Sequence, residues 1–174
     1  YEDVKNQIKN FDILFCAPNH QTFVIDEDLI KDSNIKSILS PSTGLNHIDV
    51  KSVPIVSVKN DKILNDVWST AEHTLYLMLS IVRGKHELHD KTLGIIGYGR
   101  LGKMVEQLCK PLFKEIISVD KGDSFDELYE KSDVVSIHMD YNPTTEYMID
   151  NKFLSHFKKN IYLINTARGE IVNE

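Results

Sequence analysis

Three glycines with the spacing G-x-G-x-x-G, Gly97, Gly99 and Gly102, are the residues of this 174-residue chain that most directly indicate chemistry. They follow a short apolar run and precede apolar residues spaced as on one face of a helix, so the turn is predicted between a strand and a helix. There the first glycine permits a tight turn, the second lets a pyrophosphate approach the backbone, and the third lets the helix pack closely on the strand. The N–H groups and positive dipole end of the helix then face the phosphates.

A carboxylate follows at the distance that a dinucleotide site requires. The next apolar run, residues 116–119, ends in Asp120, 18 residues after Gly102. An acid there accepts hydrogen bonds from the adenosine ribose and repels a 2′-phosphate, which favours NAD over NADP. The neighbouring Lys121 weakens that preference. The alternative interpretation is a glycine-rich turn that binds nothing.

The composition is that of a globular chain, with 41% hydrophobic and 26% charged residues. A formal net charge of -6 and the scattering of the lysines argue against a nucleic-acid partner. No apolar run approaches the roughly 20 residues that span a bilayer, and no signal-peptide pattern is present, so no membrane association is expected. Cys16 and Cys109 form neither a zinc-like spacing nor a disulfide framework, so we predict no metal and a cytoplasmic location.

The first part of the chain is predicted to be α/β. Tyr1, Val4 and Ile8 have helical spacing, and because a doubly wound domain normally begins with a strand, we expect an N-terminal piece to be missing. Asp26 is expected to cap a short helix that carries Leu29 and Ile30. Strands are predicted at residues 13–16, buried and ended by Pro18 and Asn19, at 35–39 and at 55–58. The small-residue loop 40–49 then follows a strand's carboxyl end, where ligands bind in open α/β sheets, although an ordinary polar turn is the alternative.

The second part begins with the longest predicted helix. Ser69 and Glu72 match the capping box S-x-x-E, and the helical spacing continues to Arg83. Because this helix is apolar on more than one side, we expect it to pack against both domains or a second subunit; a wholly intramolecular core helix is the alternative. From residue 93 onward strands and helices alternate, which predicts a parallel sheet with crossover helices. The strands follow at residues 116–119, 134–137 and 161–164, and helices begin after a second S-x-x-E box at 124–127 and near residue 149.

Four sequence blocks make the chain resemble the D-isomer-specific 2-hydroxyacid dehydrogenases, the family that includes D-3-phosphoglycerate, glycerate and D-lactate dehydrogenases. The blocks are Ser-Thr-Gly-Leu-Asn-His-Ile-Asp at 42–49, Ala-Glu-His-Thr-Leu at 71–75, Gly-Tyr-Gly-Arg-Leu-Gly at 97–102 and Asn-Thr-Ala-Arg-Gly at 165–169. A fifth, from His138 to Ile149, keeps the family's length. Together the blocks span nearly the whole chain in the family's order.

The resemblance implies an α/β fold, with a doubly wound Rossmann NAD-binding domain, part of a flavodoxin-like substrate domain and an active site in the cleft between them. The expected division is a partial substrate domain at 1–65, a linking helix and connector at 66–90, and a C-terminally incomplete NAD-binding domain at 91–174. A homodimer, paired through the long helix, is also implied.

The resemblance assigns NAD binding to Gly97, Tyr98, Gly99, Arg100, Leu101, Gly102, Asp120, His138, Met139, Thr166 and Ala167, and it assigns the substrate to Ser42, Thr43 and Gly44. Arg168 is the predicted catalytic residue. A 2-keto acid presents a carboxylate and a carbonyl oxygen in one plane, and a guanidinium fork holds both while it stabilises the charge that develops as hydride arrives.

The chain also departs from the family. The family's acid–base histidine and its orienting glutamate lie well downstream of the arginine, and here Glu174 is six residues after Arg168. None of the seven histidines matches that acid. We therefore expect a piece of a longer dehydrogenase that binds NAD without turnover.

Two further points stay open from the sequence. Asp140 stands where the family usually has proline, and Tyr141 and Asn142 where Leu-Thr is common, which leaves the path of that loop uncertain. The alternative functions are a non-catalytic NAD-sensing regulator on the same fold and a Rossmann enzyme that uses S-adenosylmethionine or NADP.

Overall fold

A computed structural model describes residues 1–17, 23–158 and 160–174. The chain forms two compact units, Tyr1–Asp66 and Val67–Glu174. The helices are α1 Glu2–Gln7, α2 Glu27–Ile30, α3 Ser69–Val82, α4 Arg100–Cys109, α5 Asp126–Lys131 and α6 Asn151–Leu154. The strands are β1 Ile13–Phe15, β2 Ile25–Asp26, β3 Ser37–Ser40, β4 Ile48–Asp49, β5 Ile55–Ser57, β6 Thr92–Ile96, β7 Glu115–Val119, β8 Val134–Ile137 and β9 Tyr162–Asn165.

The first unit is built on a parallel sheet of order β1-β3-β5, with a separate parallel pair of β2 and β4 that the sequence did not predict. Ile38 at the centre of β3 is fully buried. The prediction that β1 is a buried strand is wrong, since Ile13 and Phe15 are 54% and 67% exposed and Leu14 alone is half-buried. The apolar run identified a strand, but it could not show that one face of the sheet is open. The predicted strand end at Pro18 and Asn19 lies outside the described residues.

The second unit contains the predicted parallel sheet, in the order β7-β6-β8-β9. All five residues of β6 are buried because strands flank it on both sides and helices cover both faces. Leu93 and Ile95 pack in the cluster that contains the buried residues of α3 and α4, whereas Ile96 packs in the cluster that contains Leu128 of α5. Covering both faces of one parallel sheet is the arrangement of a doubly wound fold.

The hydrogen bonds at the helix N-termini test the capping residues that the sequence predicted. The Asp26 cap is confirmed, because its Oδ1 accepts from the Leu29 N–H at 2.9 Å. The first predicted capping box is wrong, since α3 begins after Trp68 with no side-chain cap hydrogen bond. The second is right only in part: α5 begins after Phe125 rather than after Ser124, but Ser124 Oγ accepts from the Asp126 N–H at 3.2 Å. Asp150 caps α6 through the Phe153 N–H at 2.7 Å. A matching S-x-x-E pattern does not by itself set the residue at which a helix begins.

The side chains packed against Gly94 in β6 leave no room for a larger residue, so a substitution there tests the packing of this core. A Cβ at that position would lie 2.5 Å from Ser132 Oγ and 3.1 Å from Leu128 Cγ. We expect Gly94→Ala to lower the free energy of unfolding by about 1–3 kcal/mol through overpacking. Thermal and urea unfolding measure the loss.

The matched control uses the same contact. Ser132 Oγ is buried and has no hydrogen-bond partner among the described residues, so Ser132→Ala breaks no hydrogen bond. The double variant Gly94→Ala/Ser132→Ala should recover at least half of the lost stability, whereas additive losses would show that this contact is not the cause.

Candidate functional site

The glycine turn joins β6 to α4, as predicted. Gly97 has a φ of +93°, a conformation that side chains rarely adopt, and its N–H donates to the Val119 carbonyl at 2.9 Å. A Cβ on Gly97 would lie 2.5 Å from the Met139 nitrogen and 2.7 Å from the His138 carbonyl carbon. The turn therefore lies against the backbone that follows β8, and it brings together residues 97 and 138–139, which the sequence assigned to one cofactor.

The surroundings of Gly102 and Gly99 differ in whether they leave room for a side chain. A Cβ on Gly102 would overlap the Gly97 carbonyl oxygen, so this glycine lets α4 lie directly on the turn. Gly99 precedes α4, and a Cβ there would meet no protein atom within 4 Å. The chain's own packing thus gives no reason for glycine at 99. Open space at the first-turn N–H groups of a helix is the cradle that a diphosphate needs, and the residues present fit such a group.

The side chains around the turn face the protein rather than that space. The Tyr98 hydroxyl donates to Glu106, which raises the pKa of Tyr98, and the Lys103 ammonium lies 5.5 Å from the Tyr98 ring centre. Arg100 Nη1 lies 3.3 Å from Met104 Sδ, and Leu101 packs on the core beneath α4. What these residues can offer to a phosphate at the turn is therefore chiefly backbone N–H.

Asp120 stands directly after the strand residue to which Gly97 is bonded. Its side chain is exposed, and its Oδ1 accepts from the Lys121 N–H at 2.9 Å. Its own N–H donates to Asp123 Oδ2 at 2.8 Å. These two bonds hold a carboxylate at the carboxyl end of β7, next to the glycine turn, where it is able to accept from ribose hydroxyls.

His138 directly follows β8 and is half-buried. Its Nε2 is 2.8 Å from Ser136 Oγ, and its Nδ1 has no hydrogen-bond partner among the described residues. Burial lowers the pKa of His138 from 6.5 to about 4. The imidazole is neutral at neutral pH and is unsuited to donate a proton there as a general acid.

This burial predicts a pH dependence of stability. Below pH 6.5 the unfolded chain binds a proton at His138 that the folded chain does not, so stability falls as the pH is lowered from about 6.5 toward 4. The full effect is on the order of 3 kcal/mol. Urea unfolding at pH 7 and pH 5 should show a smaller difference for His138→Gln than for the unmodified chain; equal differences would contradict the assignment.

Arg168 follows β9 in a turn that Asn165 holds. The Asn165 side chain accepts from the Ala167 N–H at 3.0 Å and donates to the Arg168 carbonyl at 2.7 Å. Arg168 Nη1 donates to the Ala167 carbonyl at 2.7 Å. A cavity of about 490 Å³ opens here, and it is lined by Leu163, Asn165, Thr166, Ala167, Arg168, Gly169, Val172 and Glu174.

A second cavity of about 370 Å³ shares Asn165 and Thr166 with the first, and it is also lined by Ser69, Thr70, His73 and Leu77 of α3. Thr74 links α3 to this strand end, because its hydroxyl donates to the Thr70 carbonyl at 2.8 Å and lies 2.9 Å from Thr166 Oγ1. The α3 residues and Asn165 were not predicted as site residues. The Asn directly after a strand was a usable signal, since asparagine side chains close turns.

The loop between β8 and α6 is held by its own side chains despite its departures from the family pattern. Asn142 Oδ1 accepts from the Thr144 N–H at 2.9 Å, and Thr145 Oγ1 donates to the Asp140 carbonyl at 2.8 Å. The Tyr141 hydroxyl donates to Glu146 Oε1 at 2.9 Å. The replacements Tyr141 and Asn142 thus supply side-chain contacts within this loop, whereas Asp140 takes part through its backbone carbonyl.

The predicted substrate residues lie in the first unit, in the loop after β3. Thr43 is exposed, whereas Ser42 and Gly44 are half-buried. The Ser42 hydroxyl donates to the Gly44 carbonyl at 2.9 Å and lies 2.7 Å from Ser40 Oγ. The loop is therefore organised by its own hydroxyls, behind which His47 is buried.

Comparison with known proteins decides the family. Residues 80–174 match the family model described as D-isomer specific 2-hydroxyacid dehydrogenase, NAD binding domain. The chain belongs to this family. Its cofactor is NAD, in agreement with the fit of the glycine turn.

Individual members of the dehydrogenase family match nearly the whole chain. The D-specific alpha-keto acid dehydrogenase of Enterococcus faecium is 29% identical in an alignment 170 residues long that covers 83% of this chain and 53% of that protein. The erythronate-4-phosphate dehydrogenase of Wigglesworthia glossinidia brevipalpis is 31% identical in an alignment 183 residues long, gaps included, that covers 95% of this chain and 47% of that protein. The chain thus spans about half the length of these relatives.

A solved structure supports the fold of this dehydrogenase family member. The NAD-dependent formate dehydrogenase of Staphylococcus aureus, in complex with NAD, superposes with a TM-score of 0.83 at 28% identity, over 99% of this chain and 62% of that one. Within the described parts of the chain, no helix combines the length and apolar character needed to cross a bilayer.

The histidines of this dehydrogenase chain divide by burial. His47 is buried and His138 is half-buried, while the described side chains of His73, His86, His89 and His156 are exposed. His89 lies between the carboxylates of Glu87 and Asp90, at 3.4 Å and 3.3 Å. His20 lies outside the described residues. Among the histidines that the structure describes, none lines the Arg168 cavity, and His73 lines the second one.

Proposed function

We propose that the protein of which these residues are part transfers hydride between NAD and a D-2-hydroxy acid or its 2-keto acid. The observation that carries this proposal is the placement of Arg168 after β9, beside a cavity in the NAD-binding unit. Among the described residues its guanidinium gives one hydrogen bond, to Ala167, and four further N–H donors belong to the same fork.

The planar guanidinium of Arg168 is suited to bind the carboxylate of the substrate. A guanidinium donates two parallel hydrogen bonds, so one edge can hold the carboxylate and keto oxygens of a planar 2-keto acid. The same charge stabilises the oxygen as it becomes an alkoxide. Asn165 fixes the turn on which Arg168 stands, so that the fork is oriented before the substrate binds.

The cofactor is assigned to the residues already described. Nicotinamide dinucleotide supplies the hydride acceptor or donor when it is bound. The first-turn N–H groups of α4 would hold the diphosphate and Asp120 the ribose, while the backbone at His138, Met139, Thr166 and Ala167 would line the adenine and nicotinamide sides. We assign the substrate's remaining contacts to Ser42, Thr43 and Gly44.

The reaction also needs a group that protonates the new alkoxide. His138 does not suit this role because burial lowers its pKa to about 4, and no histidine in the described part of the chain lines the Arg168 cavity. We therefore propose that the 174-residue chain on its own binds NAD without turnover. Measurable NADH oxidation by this chain with glyoxylate, pyruvate or hydroxypyruvate would contradict that proposal.

The chain's preference for NAD can be measured directly. We expect calorimetric titration to show tighter binding of NAD than of NADP, because Asp120 accepts from ribose hydroxyls and repels a 2′-phosphate. Asp120→Asn should narrow the ratio of the two dissociation constants about 10-fold or more. Glu130→Gln, which removes an exposed carboxylate of α5 in the same unit, is the matched control and should leave the ratio unchanged. No binding of either dinucleotide would overturn the cofactor assignment of these residues.

A homodimer is part of the proposal and is supported by one helix. Tyr76, Leu79 and Ile81 of α3 are 63%, 38% and 40% exposed, on a helix whose other side is buried. Apolar side chains exposed along one helix are typical of a subunit contact. Sedimentation velocity of the chain and of Leu79→Glu tests this, and a monomer in both cases would contradict it.

We also propose a cytoplasmic location, which the free thiols of Cys16 and Cys109 support.

A further inference from the structure

A buried histidine lies behind the loop that follows β3. His47 is 6% exposed, and its Nε2 is 3.2 Å from Ser40 Oγ. Ser40 Oγ is in turn 2.7 Å from Ser42 Oγ, and Ser42 Oγ is 2.9 Å from the Gly44 carbonyl oxygen. These four groups form a continuous line of hydrogen bonds, which we call the loop line, from an imidazole to the backbone of the loop.

The chemistry of the four groups determines where each proton lies. A carbonyl oxygen only accepts, so Ser42 donates its single hydroxyl proton to Gly44. The contact between the two hydroxyls then requires the proton of Ser40. Ser40 consequently meets the imidazole with a lone pair, and Nε2 of His47 must carry an N–H.

The neighbouring Cys16 does not reverse this order. Its thiol makes a side-chain hydrogen bond with Ser40, and burial raises the pKa of the thiol, so the sulfur keeps its proton. If Ser40 gave its own proton to the sulfur, the oxygens of Ser40 and Ser42 would face each other at 2.7 Å with no proton between them. A thiol sulfur is also a weak acceptor, so the proton of Ser40 goes to Ser42.

We propose that His47 is a positioning residue that sets the shape of the substrate loop through the loop line. Because the proton of Ser42 is committed to Gly44, the Ser42 hydroxyl has no donor to offer to a ligand. Thr43 is exposed in the same loop and is the hydroxyl that can donate to a carboxylate. The family resemblance assigned the substrate to Ser42, Thr43 and Gly44 together. In the loop line Ser42 and Gly44 hold the shape of the loop, and Thr43 is the residue that contacts the substrate. The substrate part of this inference rests on the proposed function; the proton positions do not.

Nitrogen NMR of the 174-residue chain tests the loop line directly. Long-range proton–nitrogen spectra of histidine-labelled chain show which imidazole nitrogen carries a proton, and the His47 signals are those absent from the His47→Gln spectrum. We expect a proton on Nε2 of His47 at neutral pH, with or without a second on Nδ1. A neutral imidazole protonated only at Nδ1 would overturn the proposal.

A pair of variants tests the consequence for the loop. His47→Gln places an amide donor near the original Nε2, whereas His47→Leu fills the space without a donor. The readout is the exchange rate of the Ile48 amide, which donates to Leu45 across the loop at 2.9 Å, relative to the Ile38 amide, which donates to Pro54 in the sheet at 3.0 Å.

The loop line makes a different prediction for each variant. We expect relative exchange at Ile48 to rise about 5- to 10-fold in His47→Leu and to stay within about 2-fold in His47→Gln, as the loss of one net hydrogen bond implies. Equal acceleration in both variants, or none in either, would overturn the proposal. Neither experiment uses NAD or a 2-keto acid, so its failure is distinct from failure of the proposed function.

Discussion

Gly99→Ala is expected to weaken NAD binding about 10- to 100-fold while the chain stays folded. The added methyl group meets no protein atom within 4 Å, so it enters only the space in front of the first turn of α4. A diphosphate held there by backbone N–H groups would be pushed outward and would lose at least one charge-assisted hydrogen bond, each worth about 1.5–3 kcal/mol.

The stability of this variant should change little because two small effects oppose each other. Alanine restricts the unfolded chain more than glycine does, which stabilises the fold, but it is a poorer residue just before a helix. We expect the unfolding temperature to stay within about 4 °C. Calorimetric titration with NAD and a thermal scan measure the two quantities separately.

Gly102→Ala is the matched control within the same turn. Its methyl group would overlap the Gly97 carbonyl oxygen, so we expect it to destabilise the fold as well as to weaken NAD binding. The separation of the two effects is what identifies Gly99 as a ligand position. Unchanged NAD affinity in Gly99→Ala would remove the glycine turn from the cofactor site.

The sequence predicts the second unit far better than the first, and the reason is burial. The central strands of the large sheet, β6 and β8, are apolar runs buried along their whole length, and β8 was placed at residues 134–137, where the structure has it. In the first unit, β2 and β4 have two residues each, which is too short to produce any period. Neither S-x-x-E pattern gave the residue at which its helix begins, since α3 begins after Trp68 and α5 after Phe125. Local hydrogen bonding competes with tertiary packing at a helix start.

The site shows the same division between local and long-range information. The roles of the turn glycines follow from a motif, and Gly97 does have the positive φ that a tight turn demands. The lining residues Thr70 and His73 could not be predicted, since they reach the end of β9 only through the packing of α3. The loop line from His47 could not be predicted for a related reason. The sequence does not show that a histidine in a loop is buried, and its partner Ser40 is the last residue of a strand.

Arg168→Lys should lower kcat/KM for 2-keto acid reduction about 100- to 1,000-fold in the longest native chain that carries these residues. Lysine keeps the positive charge but cannot donate two parallel hydrogen bonds in one plane, so the carboxylate and the developing alkoxide are no longer held together. A loss of this size is typical when one preorganised donor to a developing oxyanion is removed. The fold should be spared, because the one hydrogen bond that this side chain gives to the residues described is to the adjacent Ala167 carbonyl.

The comparison that separates catalysis from binding uses NAD itself. Affinity for NAD in Arg168→Lys should stay within about 3-fold, since the cofactor is assigned to the glycine turn and Asp120 rather than to the guanidinium. Asn165→Ala should act in the same direction more weakly, because it releases the turn that orients Arg168 without removing the fork. Unimpaired turnover in Arg168→Lys would show that the planar donor pair is not required, and the reaction would then need another anchor for the substrate carboxylate.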